Sequence, residues 1–376
     1  MAHFSLDDRE RPDSIGAFDQ AMMRRCIHLA RQAQGKTAPN PMVGAVIVKD
    51  GSIVGEGFHP KAGEPHAEVF ALRQAEENAK GATVYVSLEP CNHFGRTPPC
   101  SQALVKAEVA RVVVGTLDPN PQVGGAGVAT LREAGIDVVV GVEEDACREL
   151  NEAFFHRISH HRPFGILKYA MTLDGKIATS TGHSTWVTGE LARTEVHRWR
   201  SICDAVIVGG NTVRIDNPRL TAHRLENARN PLRVVMSRTL ALPEEAKLWQ
   251  TEDAPTLVLT QCGANLELQN RLRDRGVQVE ELAELTPVTA MAQLYDRGLL
   301  SVLWECGGTL AARAIAEGTV QKAIAFIAPK IIGGIAAPSP VAELGLQNMT
   351  EALPLKRVRW QCFGEDLMVE GYLVEG

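Results

Sequence analysis

One requirement constrains this chain more than any other: three metal-capable side chains far apart in sequence have to meet in space. They are His66 in the run His66-Ala67-Glu68, Cys91 in Glu89-Pro90-Cys91, and Cys100 in Pro98-Pro99-Cys100. A histidine and two cysteines suit Zn²⁺, and three protein ligands leave its fourth position open, as catalytic zinc sites do. A structural zinc would want a fourth protein ligand. No fourth cysteine sits nearby, and His93 is the only contender. Glu68 need not be a ligand and can instead carry protons. His-x-Glu followed by Pro-Cys and a second Cys is the pattern of zinc deaminases that act on bases. Taken singly, each residue is ordinary, since a cysteine pair is more often a pair of small buried hydrophobes. The weight lies in the set. One departure is plain: eight residues, Asn92 to Pro99, separate the cysteines where the short form has two. That insert carries His93 and Arg96, is stiffened by Pro98 and Pro99, and is expected to form one wall of a substrate pocket. Two thiolates cancel the charge of Zn²⁺ and acidify a bound water less than three histidines would, so a carboxylate base such as Glu68 is useful.

The length of 376 residues exceeds one typical domain, so two are expected. A net charge of -6 argues against non-specific nucleic-acid binding, which wants a basic surface. Eight cysteines in this length are too few for a disulfide scaffold. Cys26, Cys147, Cys203, Cys262, Cys306 and Cys362 therefore read as reduced thiols. The start of the chain, Asp7 to Arg11, is charged and lacks an apolar signal core. No run approaches the ~18 apolar residues of a membrane span. A cytoplasmic protein with no membrane partner is expected.

Residues up to about Ile15 are polar, and disorder is expected there. Met22, Cys26, Leu29, Ala30 and Ala33 recur at helical spacing and predict a helix from Ala17 to Gln34. Val43 to Val48 and Ile53 to Phe58 predict a hairpin on Asp50-Gly51. Helices follow at 66–78, 100–109, 127–134 and 143–158, with strands at 83–87, 111–115 and 136–140. Alternating strands and helices imply a layered α/β domain, with the metal ligands at helix starts beyond strand ends. There the positive helix end favours Glu68 as an anion. Gly124-Gly125-Ala126-Gly127 lacks both a leading strand and the full dinucleotide fingerprint. His156, His160 and His161 read as a solvated, basic helix end rather than a metal site. The domain boundary is placed near residue 160, giving domains 17–160 and 161–376.

The second half restarts as another α/β unit. Strands are predicted at 164–171 (carrying Lys168), 205–208, 233–236, 256–259, 276–280, 301–305, 322–327 and within 357–373. Helices are predicted at 189–201 and from Gly307 to Glu317. Residues 182–188 read as a loop and 211–216 as a short polar segment. Two strands run into paired glycines followed by a threonine: Gly209-Gly210-Asn211-Thr212 and Gly307-Gly308-Thr309. Glycines let backbone N–H groups approach a phosphate, and a helix start favours its charge, which suits a cofactor such as NADP. The plainer alternative is a tight strand-to-helix turn. Trp186 beside Ser184 fits either a pocket for a planar group or the core.

The run Ala38-Pro39-Asn40-Pro41-Met42-Val43-Gly44, the His66-Ala67-Glu68 motif and the whole block from Pro90 to Cys100 together resemble the RibD family of bifunctional riboflavin-biosynthesis deaminase/reductases. So do Leu173-Asp174-Gly175-Lys176, Gly182-His183-Ser184-Thr185-Trp186, Asp216 to Thr221 and Glu305 to Thr309. The resemblance spans roughly residues 17–376. It implies a cytidine-deaminase-like α/β/α layered domain and a dihydrofolate-reductase-like α/β domain. It implies one Zn²⁺ per chain, NADPH, small phosphorylated pyrimidine substrates and a homo-oligomer. The first domain would deaminate 2,5-diamino-6-(5-phosphoribosylamino)pyrimidin-4-one, and the second would reduce the ribosyl group of the product to ribityl. By resemblance, Glu68 is catalytic, Asn40 and His59 contact the pyrimidine, and His93 and Arg96 contact the ribose phosphate side. Lys168, Ser184, Arg200, Leu220 and Glu305 line the reductase substrate site. Ala170, Trp186, Thr212, Asp216, Gly307, Gly308, Thr309, Leu310, Ala311, Ala312 and Arg313 line the NADPH site. After Leu220-Thr221 the family often places an arginine two residues on. Here the sequence reads Ala222-His223-Arg224, so either His223 or Arg224 fills that substrate position. Met236-Ser237-Arg238 also stands one residue off the pattern. Two other readings predict different things. An RNA-editing deaminase with a C-terminal binding module would want basic stripes and exposed aromatics; aromatic residues make up only 5% of the chain. A zinc-stabilised scaffold would have no need of Glu68.

Overall fold

The computed structural model describes residues 16–93, 98–120 and 123–373. The expected disorder before Ile15, and Arg96, fall outside the described residues. The chain forms two compact units, the first ending at Phe155 and the second beginning at His156.

In the first unit, α1 (Ala17–Arg31) leads into β1 (Gly44–Lys49) and β2 (Ser52–Phe58). Asp50 and Gly51 between these strands take φ of 48° and 76°, the left-handed pair that a two-residue hairpin turn needs. Then come α2 (Ala67–Ala75), a 3₁₀ turn (Glu76–Ala79), β3 (Thr83–Val86), α3 (Cys100–Lys106), β4 (Arg111–Val114), α4 (Ala126–Glu133) and β5 (Asp137–Val140). The sheet order is β2-β1-β3-β4-β5. β1 is antiparallel to both neighbours, and β3, β4 and β5 run parallel. Alternation along β1 explains the layers, because successive side chains point to opposite faces. Ala45 and Ile47 pack with Ala67, Ala71 and Ala75 of α2. Val46 and Val48 pack with Met23, Cys26, Ile27 and Ala30 of α1. Glycines in β2 let α2 lie close: a Cβ on Gly55 would stand 2.2 Å from the Ala71 carbonyl oxygen.

The single helix predicted for 143–158 is two, α5 (Glu144–Leu150) and α6 (Glu152–His160). The break falls at the buried Asn151, whose side chain accepts from the Met42 N–H and donates to the Met42 carbonyl, both at 2.8 Å. Apolar periodicity runs through the break and cannot reveal a side chain committed to the backbone of the segment before β1.

The second unit holds β6 (Phe164–Thr172), α7 (Glu190–Ile202), β7 (Ala205–Gly209), α8 (Gly210–Asp216), β8 (Leu232–Met236), β9 (Thr256–Gln261), α9 (Leu266–Asp274), β10 (Gln278–Leu282), α10 (Pro287–Asp296), β11 (Ser301–Trp304), α11 (Gly308–Ala316), β12 (Lys322–Ala328), β13 (Lys356–Phe363) and β14 (Asp366–Tyr372). The sheet order is β10-β9-β8-β7-β11-β6-β12-β14-β13. All pairs from β10 to β12 are parallel, and the β13–β14 hairpin adds antiparallel to β12. Near-continuous apolar runs such as Ala205 to Val208 suit strands covered on both faces. Residues 211–216, read as a polar segment, lie in α8, a helix of about two turns. α10 was not anticipated. Its signals were present: Thr286 and Thr289 cap each other reciprocally and Pro287 opens the helix.

Candidate active sites

His66 is the N-cap of α2, in extended conformation, and Glu68 lies in that helix's first turn. Cys91 follows β3, and Cys100 is the first residue of α3. His66 Nδ1 stands 3.5 Å from Cys91 Sγ and 3.4 Å from Cys100 Sγ. All three donor atoms lie within 4.8 Å of one another. Tetrahedral zinc with ordinary Zn–N and Zn–S bonds sets N···S at about 3.6 Å, so the donor set fits the ion. A hydrogen bond shared with Cys100 pulls the Cys91 thiol down and pushes Cys100 up. A dication between them would hold both as thiolates.

Glu68 is 2% exposed, and its Oε2 has no hydrogen-bond partner among the described residues. Burial pushes its carboxyl up to about 7, against the pull of its own backbone N–H and of His66. A buried carboxyl poised near neutrality, with one oxygen uncommitted beside three metal donors, can take up and give back a proton. His59 is buried beside it, with its ring edge-on to His66 at 5.4 Å. Its Nδ1 is 3.0 Å from the Pro65 carbonyl and its Nε2 3.2 Å from Asn40 Nδ2. A carbonyl only accepts, so Nδ1 donates and Nε2 accepts from the Asn40 amide. Burial lowers the His59 pKa and keeps the ring neutral. The structure thus gathers Asn40, His59, His66, Glu68, Cys91 and Cys100. His93 is exposed.

The second site is built from charge. Lys168 lies on β6, Arg200 on α7, and Glu305 just past β11. Because β11 inserts between β7 and β6, Glu305 arrives between them, outside the carboxyl ends of parallel strands where open α/β sheets bind ligands. Arg200 donates through Nε and Nη2 to the two Glu305 oxygens at 2.6 and 2.9 Å, and Lys168 Nζ stands 3.5 Å from Oε2. Burial opposes the ionisation of Glu305, but Arg200 and then Lys168 outweigh it and hold the carboxyl at about 2. Burial lowers the Lys168 pKa in turn. Arg200 also reaches the Thr221 carbonyl at 3.2 Å. That tie holds the segment carrying Leu220, which is buried at φ 55°, a costly conformation for a branched side chain.

His223 and Arg224 separate clearly. His223 Nδ1 is 2.8 Å from Thr221 Oγ1, and its ring is edge-on to the buried His197 at 4.5 Å, beside Arg200. Arg224 pairs with Glu190 at 3.0 Å.

Among the residues expected at the cofactor, Ser184 Oγ donates to Asp216 Oδ1 at 3.2 Å, and Asp216 and Thr212 share α8. Trp186 is 64% exposed, so it is not core; Arg193 stands over its ring at 4.7 Å, and Lys330 Nζ donates to the Trp186 and Val187 carbonyls. Ala170 is half-buried on β6. Gly307 caps α11 without a side-chain cap, and a Cβ there would meet nothing within 4 Å. The Leu310 and Ala311 N–H groups both bond back to Gly307 O, so those of Gly308 and Thr309 precede the first intrahelical bond. That open, uncapped helix start fits a phosphate-bearing cofactor. Ala311 and Ala312 are packed into the core, and Arg313 is tied to Glu317 at 2.7 Å. Ser237, where the pattern is offset, is buried beneath Gly210.

Residues 17–116 match the family described as the cytidine and deoxycytidylate deaminase zinc-binding region. Residues 163–369 match the RibD C-terminal domain. A riboflavin biosynthesis protein RibD from Synechocystis is 60% identical over 94% of this chain and 96% of its own length. The chain belongs to the RibD family. RibD of Acinetobacter baumannii, in a solved structure, is 41% identical with a TM-score of 0.86, covering 94% of this chain and 98% of that one. A Thermotoga maritima structure described as a diaminohydroxyphosphoribosylaminopyrimidine deaminase/5-amino-6-(5-phosphoribosylamino)uracil reductase is 36% identical with a TM-score of 0.84, at the same coverages of 94% and 98%. Like other RibD chains, this one is a bifunctional enzyme of riboflavin biosynthesis. It joins a cytidine-deaminase-like zinc domain to an NADPH-dependent reductase domain with a dihydrofolate-reductase-like fold. No described helix is long and apolar enough to cross a membrane.

Sequence reading singled out the ligands but passed over Glu89. Its signal was its place directly before Pro90-Cys91.

Proposed function

We propose that residues 17–160 hydrolytically deaminate 2,5-diamino-6-(5-phosphoribosylamino)pyrimidin-4-one, and that residues 161–376 reduce the ribosyl group of 5-amino-6-(5-phosphoribosylamino)uracil to ribityl with NADPH. The observation that carries the first half is the buried Glu68 carboxylate, with one uncommitted oxygen, beside the converging His66, Cys91 and Cys100 donors. Zinc held by these three supplies an acidified water able to attack an aminated ring carbon. Glu68 would take a proton from the attacking water and give it to the ring nitrogen, then take the hydroxyl proton left on the attacked carbon and give it to the amino group, which departs as ammonia as the carbonyl forms. Ammonia leaves poorly unless protonated, so each such transfer is worth about 10²–10⁴-fold. Asn40 and His59, fixed to each other, present polar edges to the pyrimidine. His93 and Arg96 are assigned to the ribose phosphate side.

In the second half, NADPH supplies the hydride. Thr212, Asp216, Trp186, Ala170 and the α11 segment from Gly307 to Arg313 are the residues assigned to hold it. Ala311 and Ala312 contribute backbone there, because their side chains face the core. Lys168, held beside the Glu305 carboxylate, is placed to deliver a proton to the sugar oxygen while Glu305 and Arg200 fix its position. Ser184 and Leu220 complete the substrate wall. Of the two candidates for the substrate's charged end, His223 is favoured over Arg224, because it faces the Arg200 cluster while Arg224 is engaged by Glu190. We also propose a homo-oligomer. What supports it is β13, an exposed edge strand carrying Trp360 at 65% exposure, and sedimentation that returns a monomer would remove it.

The deciding experiment is Glu68→Gln with two assays on one purified protein. Glutamine keeps the shape but cannot exchange the proton. Zinc content should stay at the parent level and deamination should fall by several orders of magnitude. Reduction of the already deaminated substrate should continue near the parent rate. Surviving deamination would remove Glu68 from its role, and a collapse of reduction would show that the sites are coupled.

A further inference from the structure

Glu89 is nearly buried, 6% exposed, and makes no ion pair among the described residues, yet its carboxylate is fully occupied. Oε1 accepts from the N–H groups of Gly127 and Val128 at 2.9 and 3.2 Å. Oε2 accepts from those of Gly125 and Asp118 at 2.8 and 3.1 Å. Gly127 and Val128 are in the first turn of α4, whose own N-cap, Gly125, offers no side chain. Glu89 therefore caps α4 from another segment, with an anion at the positive helix end. Oε2 ties the Asp118 backbone to that of Gly125, the residue that precedes the helix. The next residue, Pro90, lies against the same helix: a Cβ on Gly127 would stand 2.1 Å from the Pro90 carbonyl oxygen. Beyond it comes Cys91. Ser101 N–H donates to the Cys91 carbonyl at 3.2 Å, and Ser101 Oγ to Asn92 Oδ1 at 2.7 Å. The segment from Glu89 to Asn92 is thus stapled at one end to the start of α4 and at the other to the start of α3.

From this geometry we infer that Glu89 is a positioning residue for the deaminase: it fixes the Cys91 thiol in register with the start of α4, so that the metal donors are preformed. The inference rests on the reading of His66, Cys91 and Cys100 as zinc ligands. A carboxylate suits the role because both oxygens only accept. A carboxamide offers one accepting oxygen and turns an NH₂ donor toward two N–H donors. Glu89→Gln therefore keeps one half of the staple and releases the other. Outer groups that orient metal ligands are worth about 10–100-fold in metal affinity or activity.

The test uses the full-length zinc-loaded enzyme, Glu89→Gln and, separately, Gly127→Ala, whose added Cβ drives into the Pro90 carbonyl and crowds the Glu89 carboxylate while leaving its charge in place. Zinc transfer to a chromogenic chelator, deaminase kcat and KM, and reductase rate are measured on each. Both variants should release zinc about tenfold faster or more. Deaminase kcat should fall with release, and reductase activity should match the parent. Zinc release and deaminase kinetics at the parent level in both variants would overturn the inference. So would loss of reduction in both, which would make Glu89 a prop of the fold at large. A parent enzyme that binds no zinc would instead overturn the ligand assignment itself.

Discussion

The two sites are assembled on opposite principles. In the deaminase unit, backbone positions do the aiming: His66 caps α2, Cys100 opens α3, and Cys91 is strapped between two helix starts. The donors converge without needing one another, and a metal is expected to fill the space between them. In the reductase unit the side chains aim one another. Lys168, Arg200 and Glu305 come from a strand, a helix and a second strand's end, and their mutual pairing holds Glu305 ionised despite burial. A site built from backbone tolerates loss of a side chain with the fold intact. A site built from buried charge does not, because removing one partner strands the others in a low-dielectric interior.

That contrast can be broken in four places. The largest effect belongs to Cys91→Ser. Metal analysis should show the zinc largely lost and deamination abolished, while the unfolding midpoint of the reductase unit stays put; full zinc occupancy would refute the ligand set. Glu305→Gln comes next. It leaves Arg200 and Lys168 uncompensated, so NADPH oxidation should collapse and the reductase unit should lose stability on the order of 3–5 kcal/mol in denaturant titration. An unchanged midpoint would mean that the charges are not interdependent. Smaller is the pair His223→Ala and Arg224→Ala. The first should raise KM for the phosphorylated substrate about tenfold, the scale of one charge-assisted hydrogen bond. The second should change it less than about twofold, since an exposed ion pair carries little. The reverse order would return the position to Arg224.

The fourth place is acid stability. Burial first, then neighbouring cations, lower His197 to about 4 and His156 to about 3 from an ordinary 6.5. The unfolded chain takes these protons more readily than the folded one. Stability present above about pH 6.5 is therefore lost as pH falls toward 4 and 3. Glu305 adds a second loss between its ordinary 4.5 and about 2. Urea titrations at stepped pH should show the reductase unit weakening from pH 6.5 downward, and His197→Gln should flatten the first part of that slope.

Much of this was legible without coordinates, for a physical reason. Hairpin, helix start and strand are decided by neighbours in sequence. Asp50-Gly51 had to turn, and a histidine, a glutamate and two cysteines in that order had few uses but a zinc deaminase site. The capping pair at Thr286 and Thr289 was equally local and was simply passed over. Other features were never local. Asn151 breaks a helix because its amide is spent on Met42. Glu89 gains its role from four N–H groups that only the folded loop and α4 bring to it. His223 and Arg224 are adjacent, and only the folded structure sets one against His197 and the other against Glu190. Sequence by itself determined which chemistry the chain carries and which short segments bear it. Tertiary structure alone decided that β11 slips between β7 and β6, because strand order answers to burial and crossover geometry across the whole sheet, and that insertion is what delivers Glu305 to Lys168 and Arg200.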